Sequence, residues 1–149
     1  FRSPGRMVTA DTVPVTVADK IQWFNEHNTH TRPLIVAYNN EQKIIGWISY
    51  QDFYGRPAYN GTAEISIYID EFERSKGYGK LLLTYAIEKS PSLGIHTLLG
   101  FIFAHNHPSL HLFSSFGFEE WANLRDVAIL DERKCSLKIL GKKIASKLM

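Results

Sequence analysis

Cysteine is almost absent from this sequence. Cys135 is the only one in 149 residues, which excludes an intrachain disulfide and fits a reducing compartment. Charge of one sign is scarce as well. The formal net charge is +2, too small for general nucleic-acid binding, and the aromatic residues are not interleaved with a basic stripe. Long apolar runs are missing: none approaches the ~18–20 residues that cross a bilayer, and the N-terminus lacks the apolar centre of a signal peptide. The expectation is a cytoplasmic protein with no nucleic-acid or membrane partner. What is present, 44% hydrophobic and 21% charged residues, suits one compact domain with a substantial core. The chain opens "FRSPGRM", without an initiator methionine.

Hydrophobic periodicity orders the elements. "VTVADKIQWFNEHN" reads as a short helix with Thr16 as N-cap, Asp19 three residues on, and Val17, Ile21 and Phe24 at helical spacing. Its Trp23-Phe24 pair reads as core. "PLIVAY", "NNEQ" and "KIIGWISYQDF" make a hairpin, because β-branched runs flank a turn-rich tetrapeptide. From Thr62 to Asp70 the alternation is strict, with Ala63, Ile65, Ile67 and Ile69 on one side and Glu64, Ser66 and Tyr68 on the other. "KGYGKLLLTYAIEKS" predicts a helix with a stripe of Leu82, Tyr85 and Ala86, stopped by Ser90-Pro91 and Gly94. "HTLLGFIFA" is a buried strand. Pro108 suits the first turn of a helix "PSLHLFSS" capped by Asn106 or His107. The tail predicts a hairpin with arms Glu119 to Leu130 and Lys134 to Lys142. The order gives an α/β (α+β) domain, a mixed sheet with helices packed on it. The strand–helix–strand unit from Thr62 to Phe103 predicts a parallel pair with a right-handed crossover.

That unit places Gly77-Tyr78-Gly79 at a helix N-terminus, where unpaired N–H groups and the helix dipole attract phosphate. Gly77 and Gly79 keep side chains off the backbone, and Arg74, Lys76 and Lys80 add positive charge, so the expected ligand is a diphosphate. The bland reading is a glycine-capped helix with surface cations. A Walker loop is excluded, because Arg74 stands where its first glycine belongs and Leu81 where its Ser or Thr belongs. A dinucleotide-binding turn is excluded too, with Leu82 in place of the third glycine and Phe103-Ala104-His105 where the acidic residue should fall. His105, His107 and His111 have no acidic or thiol neighbour in sequence, so they read as packing, capping and surface groups, and no metal is expected. Phe53, Arg56 and Tyr59 precede the Glu64 strand. An arginine there suits a carboxylate or phosphinate, and the aromatics suit a pocket wall; the alternative for Arg56 is a solvated loop charge.

"ISIYIDEFERSKGYGKLLL" resembles the acetyl-CoA signature of the GNAT superfamily of N-acetyltransferases, and "NHPSLHLFSSFGF" resembles its second motif, Asn-x-x-Ser-x-x-Leu-(Tyr)-x-x-x-Gly-Phe. "ADTVPVTVADKIQWFNEH", "RPAYNGTAEISIYI" and "WANLRDVAILDERKCSLKILGKKI" resemble the phosphinothricin and methionine sulfoximine acetyltransferase branch. The resemblance implies a GNAT fold, a mixed central sheet splayed at the acetyl-CoA site and flanked by helices. It also implies a single domain over residues 1–149 lacking the strand and helix with which that branch begins, elements that belong to the acceptor side.

By the same resemblance, Ile67 and Ile69 offer backbone groups to the pantetheine arm with Tyr68 between them. Arg74, Ser75, Lys76, Gly77, Tyr78, Gly79 and Lys80 hold the diphosphate, and Asn106 and Ser109 contact the arm or nearby CoA groups. Tyr68 or Ile69 is the candidate N–H donor to the thioester oxygen. Glu64 matches a strand glutamate of the branch and is the expected base, its alternative being a carboxylate on a solvated face. Many superfamily members carry a tyrosine at Phe113, able to protonate the departing sulfur; phenylalanine leaves that role unfilled. Cys135 has no identifiable histidine partner, so direct transfer is expected rather than an acetyl-cysteine route. The acceptor implied is the α-amino group of a small amino acid analogue, and the assembly implied is a homodimer. Two alternatives stay open: a peptide N-terminal or polyamine acetyltransferase, and a CoA-binding sensor without turnover.

Overall fold

A computed structural model of the chain describes residues 32–39, 41–74 and 77–144. The expected helix from Thr16 to Asn28 lies outside the described residues, as do Ser75 and Lys76. The described part is a six-stranded sheet in the order β1-β2-β3-β4-β6-β5. Its strands are β1 (Leu34–Tyr38), β2 (Ile44–Asp52), β3 (Thr62–Ile69), β4 (Thr97–Phe103), β5 (Glu119–Leu130) and β6 (Arg133–Lys143). Helix α1 (Tyr78–Lys89) crosses from β3 to β4, and α2 (His107–Ser115) follows β4. Only β3 and β4 are parallel; every other neighbouring pair is antiparallel.

Local chemistry explains the turns. Asn39 closes the first hairpin: its Oδ1 accepts from the N–H groups of Glu41 (2.8 Å) and Lys43 (3.1 Å). The last hairpin is tighter than the sequence suggested. Asp131 and Glu132 alone make the turn, both with positive φ (50° and 65°), the geometry whose twist matches that of two antiparallel strands.

In β3, Ala63 and Ile65 are buried while Ile67 and Ile69 are half-buried against the same core, as the alternation predicts. The stripe of α1 differs from expectation. Leu82, Leu83 and Ala86 are buried, whereas Tyr85 is 51% exposed. At about 100° per residue, the arc facing the sheet is centred between Leu82 and Leu83, so Tyr85 turns past its edge into solvent. The helix is anchored at its far end by two hydroxyls, from Tyr50 in β2 and from Ser90, each donating to the Ala86 carbonyl at 2.7 Å. Burial pushes the Tyr50 phenol up to about 12, so it remains a donor throughout the neutral range.

Helix α2 is capped as its sequence predicts. The Asn106 side chain accepts from Ser109 N–H at 3.3 Å, and Pro108 occupies the first turn. Its Phe113 ring lies over Gly100 of β4, where a Cβ would stand 2.7 Å from the ring. The ring is 3% exposed and meets Phe118 edge to face, centroids 4.9 Å apart.

Candidate active site

The site begins where two strands part. β3 pairs with β4 only from Thr62 to Ile65, against Thr97 to Gly100; β3 then runs on to Ile69 and β4 to Phe103 with no pairing between them. The sheet is therefore splayed, with its vertex at Ile65 and Gly100. Asp70 N–H donates to the Ile45 carbonyl at 2.8 Å. Successive strand residues turn their backbone groups to opposite sides, so Tyr68, Ser66 and Glu64 also bond towards β2, while Ile65, Ile67 and Ile69 turn theirs towards β4. At Ile65 the neighbour strand is present. At Ile67 and Ile69 it has moved away, which leaves a strand edge that β4 does not pair.

Past the end of β3 the chain makes a single 3₁₀ turn, Glu71–Glu73, opened by the Asp70 carboxylate accepting from Phe72 N–H at 2.9 Å. Arg74 follows in extended conformation, exposed, with Nε donating back to the Ile69 carbonyl at 3.3 Å. Gly77 is the N-cap of α1 at φ 85°, with no side-chain cap, and there is no acidic residue in the first turn. The leading N–H groups of α1 are thus open to an anion. The two glycines serve different ends. A Cβ at Gly77 would meet nothing, so glycine is needed there for its left-handed backbone. A Cβ at Gly79 would stand 3.1 Å from the Leu112 side chain, so glycine there lets α1 and α2 approach beside the cleft. Lys80 is exposed in the first turn. Asn106, 2% exposed, directs its side-chain oxygen into its own helix, and Ser109 is half-buried in the first turn of α2.

Glu64 lies one residue before the vertex, on the sheet face away from α1, between Gln51 of β2 and Leu99 of β4. It is half-buried, and burial pushes its carboxyl above the usual range. Among the described residues it makes no hydrogen bond or ion pair.

The loop from Phe53 to Gly61 sits at the start of β3, close in the chain to Glu64 and at the opposite end of the strand from the glycine turn. Phe53, Tyr54 and Tyr59 form a triangle of rings with centroids 5.5 to 5.9 Å apart, and Arg56 is exposed beside them. Arg32 ties the two ends of the loop: Nε reaches Asp52 at 2.7 Å and Nη2 donates to the Asn60 carbonyl at 2.8 Å. Sequence reasoning missed Arg32 and Tyr54. It also missed Trp47, which stacks on Tyr68 at 4.4 Å across the β2–β3 pair; a sequence signal for it would have required the register. His105 stacks on Phe103, and no group of three or more His, Cys, Asp or Glu among the described residues is placed to hold a metal ion. No helix of the described residues is long and apolar enough to cross a membrane.

A splayed parallel pair leading to a glycine turn suits a ligand laid along the strand edge with an anion at the helix N-terminus. The model of the acetyltransferase (GNAT) family matches residues 7–118, and the chain belongs to that family of enzymes. It is similar to YwnH of Bacillus subtilis, which is named provisionally as a phosphinothricin acetyltransferase: 52% identical over 140 residues, covering 94% of this chain and 85% of the relative. It is also similar to the L-methionine sulfoximine/L-methionine sulfone acetyltransferase of Pseudomonas aeruginosa, 32% identical over 106 residues, or 71% of this chain and 62% of that protein. A crystal structure of a protein assigned provisionally as a phosphinothricin N-acetyltransferase superposes with a TM-score of 0.88 at 51% identity, covering 95% of this chain and 86% of that one.

Proposed function

We propose that the protein transfers the acetyl group of acetyl-CoA directly to the α-amino group of a small amino acid of the methionine sulfoximine or phosphinothricin type. The observation that carries this reading is the strand edge at Ile67 and Ile69 with which β4 no longer pairs, which runs from the N-terminus of α1 to a half-buried Glu64 that has no hydrogen-bond or ion-pair partner among the described residues. The names of the relatives support the choice of acceptor.

In this reading the N–H groups of Gly77, Tyr78, Gly79 and Lys80, with the cations of Arg74, Lys76 and Lys80 and the hydroxyl of Ser75, hold the diphosphate. The backbone of Ile67 and Ile69 receives the pantetheine arm as an added strand, with Tyr68 between them fixed on Trp47. Ser109 and the backbone at Asn106 border the arm. The bound thioester supplies an activated acetyl carbon. Glu64 accepts a proton from the acceptor ammonium, which leaves a neutral amine able to attack. Tyr68 turns its N–H towards β2 and Ile69 stands four residues short of the vertex, so the N–H along the open edge nearest a thioester whose acyl end reaches Ile65 is that of Ile67. Phe113 carries no hydroxyl, and the departing thiol, with an ordinary pKa near 8.5, takes its proton from water. Phe53 and Tyr59 wall the acceptor, and Arg56 pairs with its carboxylate or phosphinate.

The test is thiol release from acetyl-CoA against methionine sulfoximine, phosphinothricin, common amino acids, a peptide and spermidine. Release is expected with the amino acid analogues. Release confined to the peptide or to spermidine would replace the acceptor class, and CoA binding without release for any acceptor would favour a sensor.

The same reading includes a homodimer. We place its contact on the edge strand β5, where Trp121, Leu124, Val127 and Ile129 are exposed; an apolar sheet edge of this kind favours association. Sedimentation should show a dimer that Ile129→Lys converts to monomer. A monomeric wild-type protein at micromolar concentration would overturn this.

A further inference from the structure

We infer that the Phe113–Gly100 contact sets the length of the acyl group that the enzyme accepts and restricts it to two carbons. This rests on the acetyl-transfer reading, because it concerns the far end of the same cleft. An arm entering at α1 and lying along Ile69 and Ile67 reaches the vertex at Ile65 after four strand residues, about 13 Å. Its acyl end therefore arrives beside Gly100. No side chain stands there, and the space above that glycine on the helix face is filled by the Phe113 ring, 2.7 Å from where a Cβ would lie.

The ring cannot withdraw easily. It lies against Gly100 and Phe118, and Ile65, paired with Gly100, and Leu98 are fully buried in the same core. Interiors of this density do not admit extra methylenes without moving neighbours. A longer acyl chain then has two courses. Continuing to the vertex, it collides with Phe113. Turning to the other sheet face, it enters the space beside Glu64 that the acceptor amine requires. Either course selects acetyl: the first through donor affinity, the second through transfer.

The experiment measures donor binding by calorimetry with no acceptor present, using CoA, acetyl-CoA, butyryl-CoA and hexanoyl-CoA, and then transfer rates with the three acyl donors. Wild type is expected to bind CoA and acetyl-CoA alike and butyryl-CoA roughly tenfold more weakly, with a further loss in transfer. Phe113→Leu, which keeps an apolar side chain and shortens it, should bring butyryl-CoA binding and transfer close to those of acetyl-CoA; Phe113→Ala should extend this to hexanoyl-CoA. If the alanine variant fails to fold, the leucine variant and the wild-type series decide the matter. Equal binding and equal transfer of butyryl- and acetyl-CoA by wild type would overturn the inference, as would unchanged discrimination in a folded Phe113→Leu. Failure to bind CoA at all would instead overturn the acetyl-transfer reading, and this inference with it.

Discussion

Glu64→Gln should lower kcat by about 10²- to 10⁴-fold, the range set by loss of a general base, while leaving the dissociation constant of acetyl-CoA nearly unchanged. The two effects separate because Glu64 lies on the paired side of the vertex, whereas the proposed CoA contacts begin at Ile67 and run to Lys80. The variant should also be more stable than wild type at neutral pH. Burial, with no hydrogen-bond or ion-pair partner among the described residues, raises the carboxyl above its ordinary value, so the folded protein binds that proton more readily than the unfolded chain. Such a group favours folding below the unfolded carboxyl value, near 4.3, and loses that contribution as pH rises through the folded value. Ionising the half-buried carboxylate as pH rises carries a desolvation cost, and glutamine removes it. Melting temperatures of the two proteins should therefore differ at pH 7 and converge below about pH 4. In kcat/KM, the acid limb assigned to Glu64 should fall above the normal glutamate range and disappear in the variant. A structural surface carboxylate would show neither the rate loss nor the missing limb. A kcat unchanged in Glu64→Gln would remove Glu64 from the mechanism.

Arg74→Ala combined with Lys80→Ala should weaken CoA binding by about 10²- to 10⁴-fold, because each hydrogen bond to a charged oxygen is worth roughly 1.5–3 kcal/mol and each 1.4 kcal/mol is tenfold. Both side chains are exposed, so screening by solvent and salt favours the lower end of that range. Arg74 has a second task, since its Nε holds the Ile69 carbonyl at 3.3 Å; Lys80→Ala alone therefore gives the cleaner reading of charge. The discriminating donor is acetylpantetheine, which lacks the diphosphate. Wild type and the Lys80 variant should use it equally well, and the advantage of acetyl-CoA should shrink with added salt more steeply in wild type. Equal CoA affinity in the double variant and wild type would mean that the open helix N-terminus binds something other than a diphosphate.

Much of this architecture follows from local rules. The alternation of Ala63, Ile65, Ile67 and Ile69 follows from the two-residue repeat of a strand, and the cap of α2 from Asn106 followed by Pro108. Family membership was legible in two short motifs, because a glycine turn opening a helix and the Asn106–Phe118 motif each involve neighbours in the chain. The stripe of α1 was read off by one position, with Tyr85 in place of Leu83, because periodicity locates a face only to within about one residue until something packs against it.

Local patterns set the order of the described strands and helices from Leu34 to Lys143. Which of their residues meet depends on packing. That Gly77 serves backbone conformation and Gly79 serves the approach of Leu112, that Tyr68 is fixed by Trp47, that Arg32 closes the aromatic loop, and that Phe113 fills the space over Gly100 all depend on partners distant in the chain. Local preferences act over a few residues through backbone sterics and hydrogen bonding. Contacts between distant segments exist only once strand register and helix packing bring them together, so the position of the vertex and the ring over Gly100 became visible only in the folded chain.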